Sequence, residues 1–280
     1  MGLGTALITP FKADKSVDYE ALARLLDTQL TGPVDYIVVL GTTGEAATMT
    51  EDEKREVRTF IRKYVNGRLP LVLGVGGNNT AAVCETLKTI DLTGFEAILS
   101  VCPYYTKPNQ EGLYQHFCAV AEASPILVIL YNVPGRTGVN LLPETVMRIY
   151  EAHPDKIAGI KEASGNVEQI KHLIDLAKDK LLVISGDDGI ACEIMEAGGA
   201  GLISVASNAF PEDFYDIVHK KDQAKQAQYD QMIKLLFKEG NPVGIKAVLA
   251  QKGIIQNYLR LPLVPASEDL QEEIQKEMAK

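Results

Sequence analysis

The sequence predicts an α/β chain: a closed (β/α)8 TIM barrel over residues 1–221, followed by a C-terminal helical extension over residues 222–280. Three observations carry that prediction. Eight short aliphatic or β-branched runs recur along the first part of the chain, amphipathic helical patterns separate them, and beyond about Lys221 only helical patterns remain. Strict alternation of apolar strand and amphipathic helix implies parallel strands joined by crossover helices. Eight such units in about 220 residues match a closed barrel. At 46% hydrophobic residues, 280 residues suffice for the large core such a barrel needs.

In order, the strand runs fall at 3–9, 36–40, 71–75, 97–101, 126–131, 157–161, 181–185 and 201–205. Between the first two, Leu22, Leu25, Leu26 and Leu30 make one helical stripe. After the second, Thr50 and Glu53 have capping-box spacing and open a helix with Val57, Phe60, Ile61 and Tyr64 at i, i+3, i+4 and i+7. Val167, Ile170, Leu173 and Ile174 mark a further helix after the sixth run. The extension reads as helices in "DQAKQAQYDQMIKLLF", "NPVGIKAVLAQKG" and "SEDLQEEIQKEMAK", packed on the barrel or on a neighbouring subunit. A doubly wound nucleotide-binding sheet fits less well. "GVGGNN" (74–79) puts Asn79 where the dinucleotide fingerprint needs its last glycine, and no GxxxxGK[ST] occurs.

Lys plus Arg number 28 against 37 Asp plus Glu, a net charge of −9, with no basic block, so neither nucleic acid nor an anionic membrane is an expected partner. The first residues, "MGLGTALITPF", lack a charged segment followed by an apolar one, and no apolar run approaches the roughly 20 residues of a spanning helix. The expected location is cytoplasmic. Cys84, Cys102, Cys118 and Cys192 show no CxxC pairing and are expected to be free thiols.

Barrels of this class carry their chemistry on loops after the C-terminal ends of the strands. Unusual polar residues gather there: "GTTGE" (41–45) after the second run, "PYYTKP" (103–108) after the fourth, "YNVPGRTG" (131–138) at the fifth, Lys161 closing the sixth, and "SGDDG" and "SVASN" after the last two. In "IAGIKEASG" strand alternation puts Lys161 on one face with Ile157 and Gly159, the glycine leaving space beside it, and Glu162 on the other face. A lysine among tyrosines and threonines is what a Schiff-base enzyme needs. Only on the order of one ordinary lysine amine in a thousand is neutral near pH 7, so the site must favour the neutral amine, and a nearby phenol can carry its proton.

Competing chemistries fare worse. His116, His153, His172 and His219 are scattered and form no metal cluster, so no metal is expected. Asp187 and Asp188 put negative charge where a sugar phosphate would need an anion site. The residues themselves lead to an amine-catalysed keto-acid lyase, with a catalytically silent barrel acting as a ligand sensor as the alternative from another class.

The ordered set "ALITPF", "GTTGE", "PYYTKPNQEGLYQHF", "YNVPGRTG", "GIKEASG", "SGDD", "SVASN", "NPVGIKAVL" and "LRLPL" resembles, along nearly the whole chain, the dihydrodipicolinate synthase family of pyruvate-dependent aldolases. The resemblance implies that Lys161 forms a Schiff base with pyruvate, with no cofactor beyond that covalent substrate. It implies that Thr42 and Thr43 hold the pyruvate carboxylate, and that Thr43, Tyr131 and a Tyr105 lent by a neighbouring subunit form a proton relay. Arg136 would bind the carboxylate of L-aspartate 4-semialdehyde, and Gly186 and Ile203 would supply backbone contacts near pyruvate. A homodimer or a homotetramer built as a dimer of dimers follows from the lent tyrosine. A related keto-acid aldolase, such as N-acetylneuraminate lyase, is the runner-up; the pattern of the sugar-acid enzymes lacks an arginine at position 136. Feedback-sensitive members bind lysine at the dimer interface. The matching positions are Glu51, Lys54, Gly76, Asn78, Ala82 and Tyr104, and with no glutamate at 82 and a cation at 54 the pocket reads as vestigial, with weak or absent inhibition expected.

Overall fold

Eight strands close in chain order into one barrel in the computed structural model, which describes residues 1–280. They are β1 (Gly2–Ala6), β2 (Tyr36–Val39), β3 (Leu71–Gly74), β4 (Ala97–Val101), β5 (Leu127–Asn132), β6 (Ile157–Glu162), β7 (Leu182–Ser185) and β8 (Gly201–Ser204). Every expected run overlaps its strand, and β1, β5 and β6 each reach one residue beyond it, at Gly2, Asn132 and Glu162. The first run is trimmed most, because the ladder ends at Ala6 while Leu7 N–H still reaches the Val38 carbonyl at 3.0 Å. The helices are α1 (Tyr19–Thr31), α2 (Glu51–Val65), α3 (Thr80–Thr89), α4 (Gln110–Ala123), the one-turn α5 (Pro134–Thr137), α6 (Pro143–Ala152), α7 (Val167–Ala177), α8 (Ala191–Glu196) and α9 (Pro211–Lys220), followed by α10 (Gln223–Lys238), α11 (Val243–Gln251) and α12 (Glu268–Met278). None is long and apolar enough to cross a membrane.

The polar residues after the strands start helices. Asp18, Asn79, Asn109 and Asn166 each cap a helix by accepting a backbone N–H two or three residues into it. Asn79, which breaks the dinucleotide fingerprint, is thereby explained as the cap of α3. Thr50 and Glu53 form the reciprocal capping box on α2. Its buried stripe is Val57, Ile61 and Val65, however. Phe60 and Tyr64 stand half-buried beside it, with Phe60 5.0 Å from the Tyr19 ring and 5.7 Å from the Tyr64 ring.

Contacts divide the chain into two compact units: Leu71–Ile203 with Met1, and Gly2–Pro70 with Ser204–Lys280. In the first, β3 to β8 form a continuous parallel ladder, and Tyr131 lies opposite Lys161 and Asn132 opposite Glu162 across β5 and β6. In the second, β1 pairs with β2 in parallel, α9 packs on β1, and α10, α11 and α12 pack on one another. The apolar positions of α11, from Val243 to Leu249, are buried.

Candidate active site

In the first unit the ladder register does the positioning. Lys161 and Tyr131 are opposite neighbours at the ends of β6 and β5, and the Lys161 ammonium sits 4.4 Å from the centre of the Tyr131 ring. Only 6% of Lys161 is exposed. The amine therefore meets an aromatic face at this end of the barrel ladder.

Alternation sends the next residue of each strand to the other face, where Asn132 and Glu162 are both buried. The Glu162 carboxylate accepts from Asn132 Nδ2 at 2.9 and 3.2 Å, from Ser164 N at 2.8 Å and from Gln169 Nε2 at 3.1 Å. Asn132 also donates to Asn140 Oδ1 at 2.8 Å and accepts from Leu141 N at 2.9 Å. Burial pushes the Glu162 carboxyl above its ordinary range, against these hydrogen bonds. The network locks the β5–β6 register behind the two site residues and fastens the far end of the loop that carries Arg136, itself exposed on α5.

Gly186 continues the β6–β7 ladder, its N–H donating to the Glu162 carbonyl at 2.8 Å. A Cβ there would lie 2.6 Å from Ala163 Cβ and 2.9 Å from Lys161 Cε. This corrects one detail: Gly159 does not make room for the lysine, since a Cβ on it would meet the Leu182 carbonyl at 2.6 Å. Gly186 is the glycine that does. Ile203 is buried in β8. Tyr105 has φ +73° and is 88% exposed, in a three-residue turn closed by Thr106 N–H on the Tyr104 carbonyl at 2.9 Å.

In the second unit, Thr42 and Thr43 form a 3₁₀ turn (Thr42–Gly44) directly after β2, and Glu45 follows in the left-handed region at φ +53°. Thr9 Oγ1 donates to the Gly44 carbonyl at 2.8 Å. The buried Thr43 hydroxyl accepts from Asn241 Nδ2 at 3.0 Å. The Glu45 carboxylate pairs with Lys246, whose side chain is fully buried, and accepts the Arg260 backbone N–H at 3.1 Å. Lys246 and Arg260 lie over the Phe11 ring at 4.2 and 4.4 Å. Burial pushes the Lys246 amine down to about 8, opposed by the Glu45 charge. Reading residues alone passes over Glu45, Asn132, Glu162, Asn241 and Lys246 as actors. The only signal was that all five sit inside the quoted motifs.

Of the positions matched to a lysine pocket, Glu51 and Lys54 pair with each other at 2.8 Å on α2, so the cation at 54 already has its counter-charge. Tyr104, Asn78, Ala82 and Gly76 are exposed. The four cysteines are free thiols, and no group of three or more His, Cys, Asp or Glu is placed to hold a metal ion.

All 280 residues match the dihydrodipicolinate synthetase family. The chain belongs to that family. It is 52% identical over 277 residues to the 4-hydroxy-tetrahydrodipicolinate synthase of Flavobacterium psychrophilum, covering 96% of this chain and 94% of the relative. It is 50% identical over 271 residues to that of Parabacteroides distasonis, covering 94% and 91%. The crystal structure of chloride-inhibited dihydrodipicolinate synthase from Acinetobacter baumannii complexed with pyruvate superposes with a TM-score of 0.95 at 38% identity, over 99% of this chain and 97% of that one.

Proposed function

We propose that this chain is a lyase that condenses pyruvate with L-aspartate 4-semialdehyde through a lysine Schiff base to give 4-hydroxy-tetrahydrodipicolinate, in the diaminopimelate route to lysine. The observation that carries this reading is the buried Lys161 ammonium over the Tyr131 ring. The amine of Lys161 adds to the keto carbon of pyruvate and water leaves, giving an iminium. That iminium acidifies the pyruvate methyl, the resulting enamine attacks the aldehyde, and the amino group of the semialdehyde then displaces the Lys161 amine from the re-formed iminium, closing the ring and freeing the lysine. Tyr131, in contact with the amine, moves the proton. Thr43 and Tyr105 complete the relay, Thr42 and Thr43 hold the pyruvate carboxylate, and Gly186 and Ile203 line the bound acid. Arg136 takes the carboxylate of the semialdehyde through its planar fork. The iminium is the electron sink, so the route calls for no separate cofactor. The working protein is a cytoplasmic homodimer or homotetramer, in keeping with a net charge of −9 and an outward-facing Tyr105.

Incubation with pyruvate and borohydride should leave a reduced adduct on the peptide that contains Lys161, and Lys161→Ala should lose both adduct and nearly all turnover. Turnover with the semialdehyde but not with a sugar-aldehyde acceptor then separates this reaction from that of a sugar-acid lyase. An adduct on Lys107, or full activity in Lys161→Ala, would sink the assignment.

A further inference from the structure

The hydroxyl of Thr43 has a partner that the reaction scheme does not mention. Asn241 lies between α10 and α11, is buried, and places Nδ2 3.0 Å from Thr43 Oγ1. A hydroxyl carries one proton and two lone pairs. When an amide N–H fills one lone pair, the proton must point away from that amide, toward whatever other acceptor the site offers.

As a tether this bond would be redundant. The loop is already fixed one turn further on by the Glu45–Lys246 pair, by Arg260 N–H on Glu45 at 3.1 Å and by Arg260 Nη1 on the Thr48 carbonyl at 3.1 Å. None of those bonds touches the Thr43 hydroxyl, whose rotation they leave open. What Asn241 alone controls is the direction of one proton. We propose that Asn241 is a positioning residue for proton transfer: by donating to Thr43 Oγ1 it denies the C-terminal segment the Thr43 proton and commits that proton to the relay. The proposal rests on the reading of Thr43 as a relay member.

Asn241→Asp tests it with almost no change of shape. The carboxylate offers oxygen to Thr43, captures its proton and turns the hydroxyl round. Turnover should fall about ten- to a hundredfold, short of the roughly 10²–10⁴ that a positioned acid–base group supplies, because the hydroxyl is misdirected rather than removed. The pyruvate adduct should still form and KM for pyruvate should move less than about threefold. The deciding measurement is a double-mutant cycle with Thr43→Val. If Asn241 acts through the Thr43 hydroxyl, Asn241→Asp costs nothing more in turnover once that hydroxyl is gone. Losses that multiply in the double variant, or wild-type turnover in Asn241→Asp, overturn the proposal. Wild-type turnover in Thr43→Val alone overturns the relay reading first and the proposal with it. Should Asn241→Asp fail to fold, Asn241→Ala, which removes the donor without offering an acceptor, goes through the same cycle with the same deciding outcome.

Discussion

A single missing methyl group at Gly186 decides whether the lysine stem has a place to lie. An alanine there would put its Cβ 2.6 Å from Ala163 Cβ and 2.9 Å from Lys161 Cε, closer than real Cβ contacts come. Lys161 can yield because its stem is flexible; Ala163 cannot, because its Cβ is fixed to the backbone. The lysine is therefore displaced and the strand end strained, at a cost of about 1–3 kcal/mol for overpacking. Gly186→Ala should still fold, with its thermal transition lowered, while the rate of pyruvate adduct formation drops at least about tenfold. An unchanged trapping rate would mean that the stem has space the contacts deny it. Sequence alternation placed Lys161 and Glu162 on opposite faces, in keeping with their separate surroundings here. It could not say which glycine faces the lysine, because Gly186 reaches it from the next strand and that depends on register between strands.

At the scale of elements, the strands and the helix starts were legible because they follow from local rules: period, alternation and caps. Ala97–Val101 was readable to the residue, and the capping box on α2 stands as written. What hides from sequence is tertiary. Phe60 fits a helical stripe as well as Val65 does, and only packing tells that Val65 is the buried one. Likewise the polar side chains behind the site, Glu162 with Asn132 and Glu45 with Lys246, look like solvent-facing residues until both partners are found. His116 on α4 is a third such residue. It is buried beside Phe117, its Nδ1 is 2.9 Å from Thr80 Oγ1, and burial pushes its imidazole down to about 4. The buried form is neutral, so between about 4 and its ordinary 6.5 the unfolded chain binds the extra proton. Its contribution to stability is therefore intact above 6.5 and lost as pH falls toward 4, by up to roughly 3 kcal/mol at about 1.36 kcal/mol per pH unit. Urea unfolding of wild type and His116→Gln across that range measures it. The wild type should lose stability more steeply than the variant, and parallel curves would show that the imidazole takes up its proton alike in the folded and unfolded chain.

For the whole molecule, the residue that bears on assembly is one the chain turns outward. Tyr105 is 88% exposed, and its φ of +73° in a turn closed by the Thr106–Tyr104 hydrogen bond is a conformation a non-glycine residue holds only at a cost of order 1–3 kcal/mol. A large aromatic ring left in water on a strained backbone gains nothing for one isolated chain. It gains a great deal if a second copy covers it, which is the arrangement proposed for the relay. The loop belongs to the Leu71–Ile203 unit, as do Lys161 and Tyr131, so a tyrosine that serves another chain leaves its own chain dependent on a second Tyr105 in return. Tyr105→Phe and Lys161→Ala should each be nearly inactive. Mixed under conditions shown to exchange subunits, they should recover part of the activity, because some sites then hold an intact lysine from one chain and an intact phenol from the other. In a dimer population mixed at random from equal amounts, half the molecules are hybrids and each hybrid has one complete site, so recovery should approach about one quarter of wild-type activity. No recovery after proven exchange would mean that the relay is completed within one chain, and that the strained turn serves some other contact.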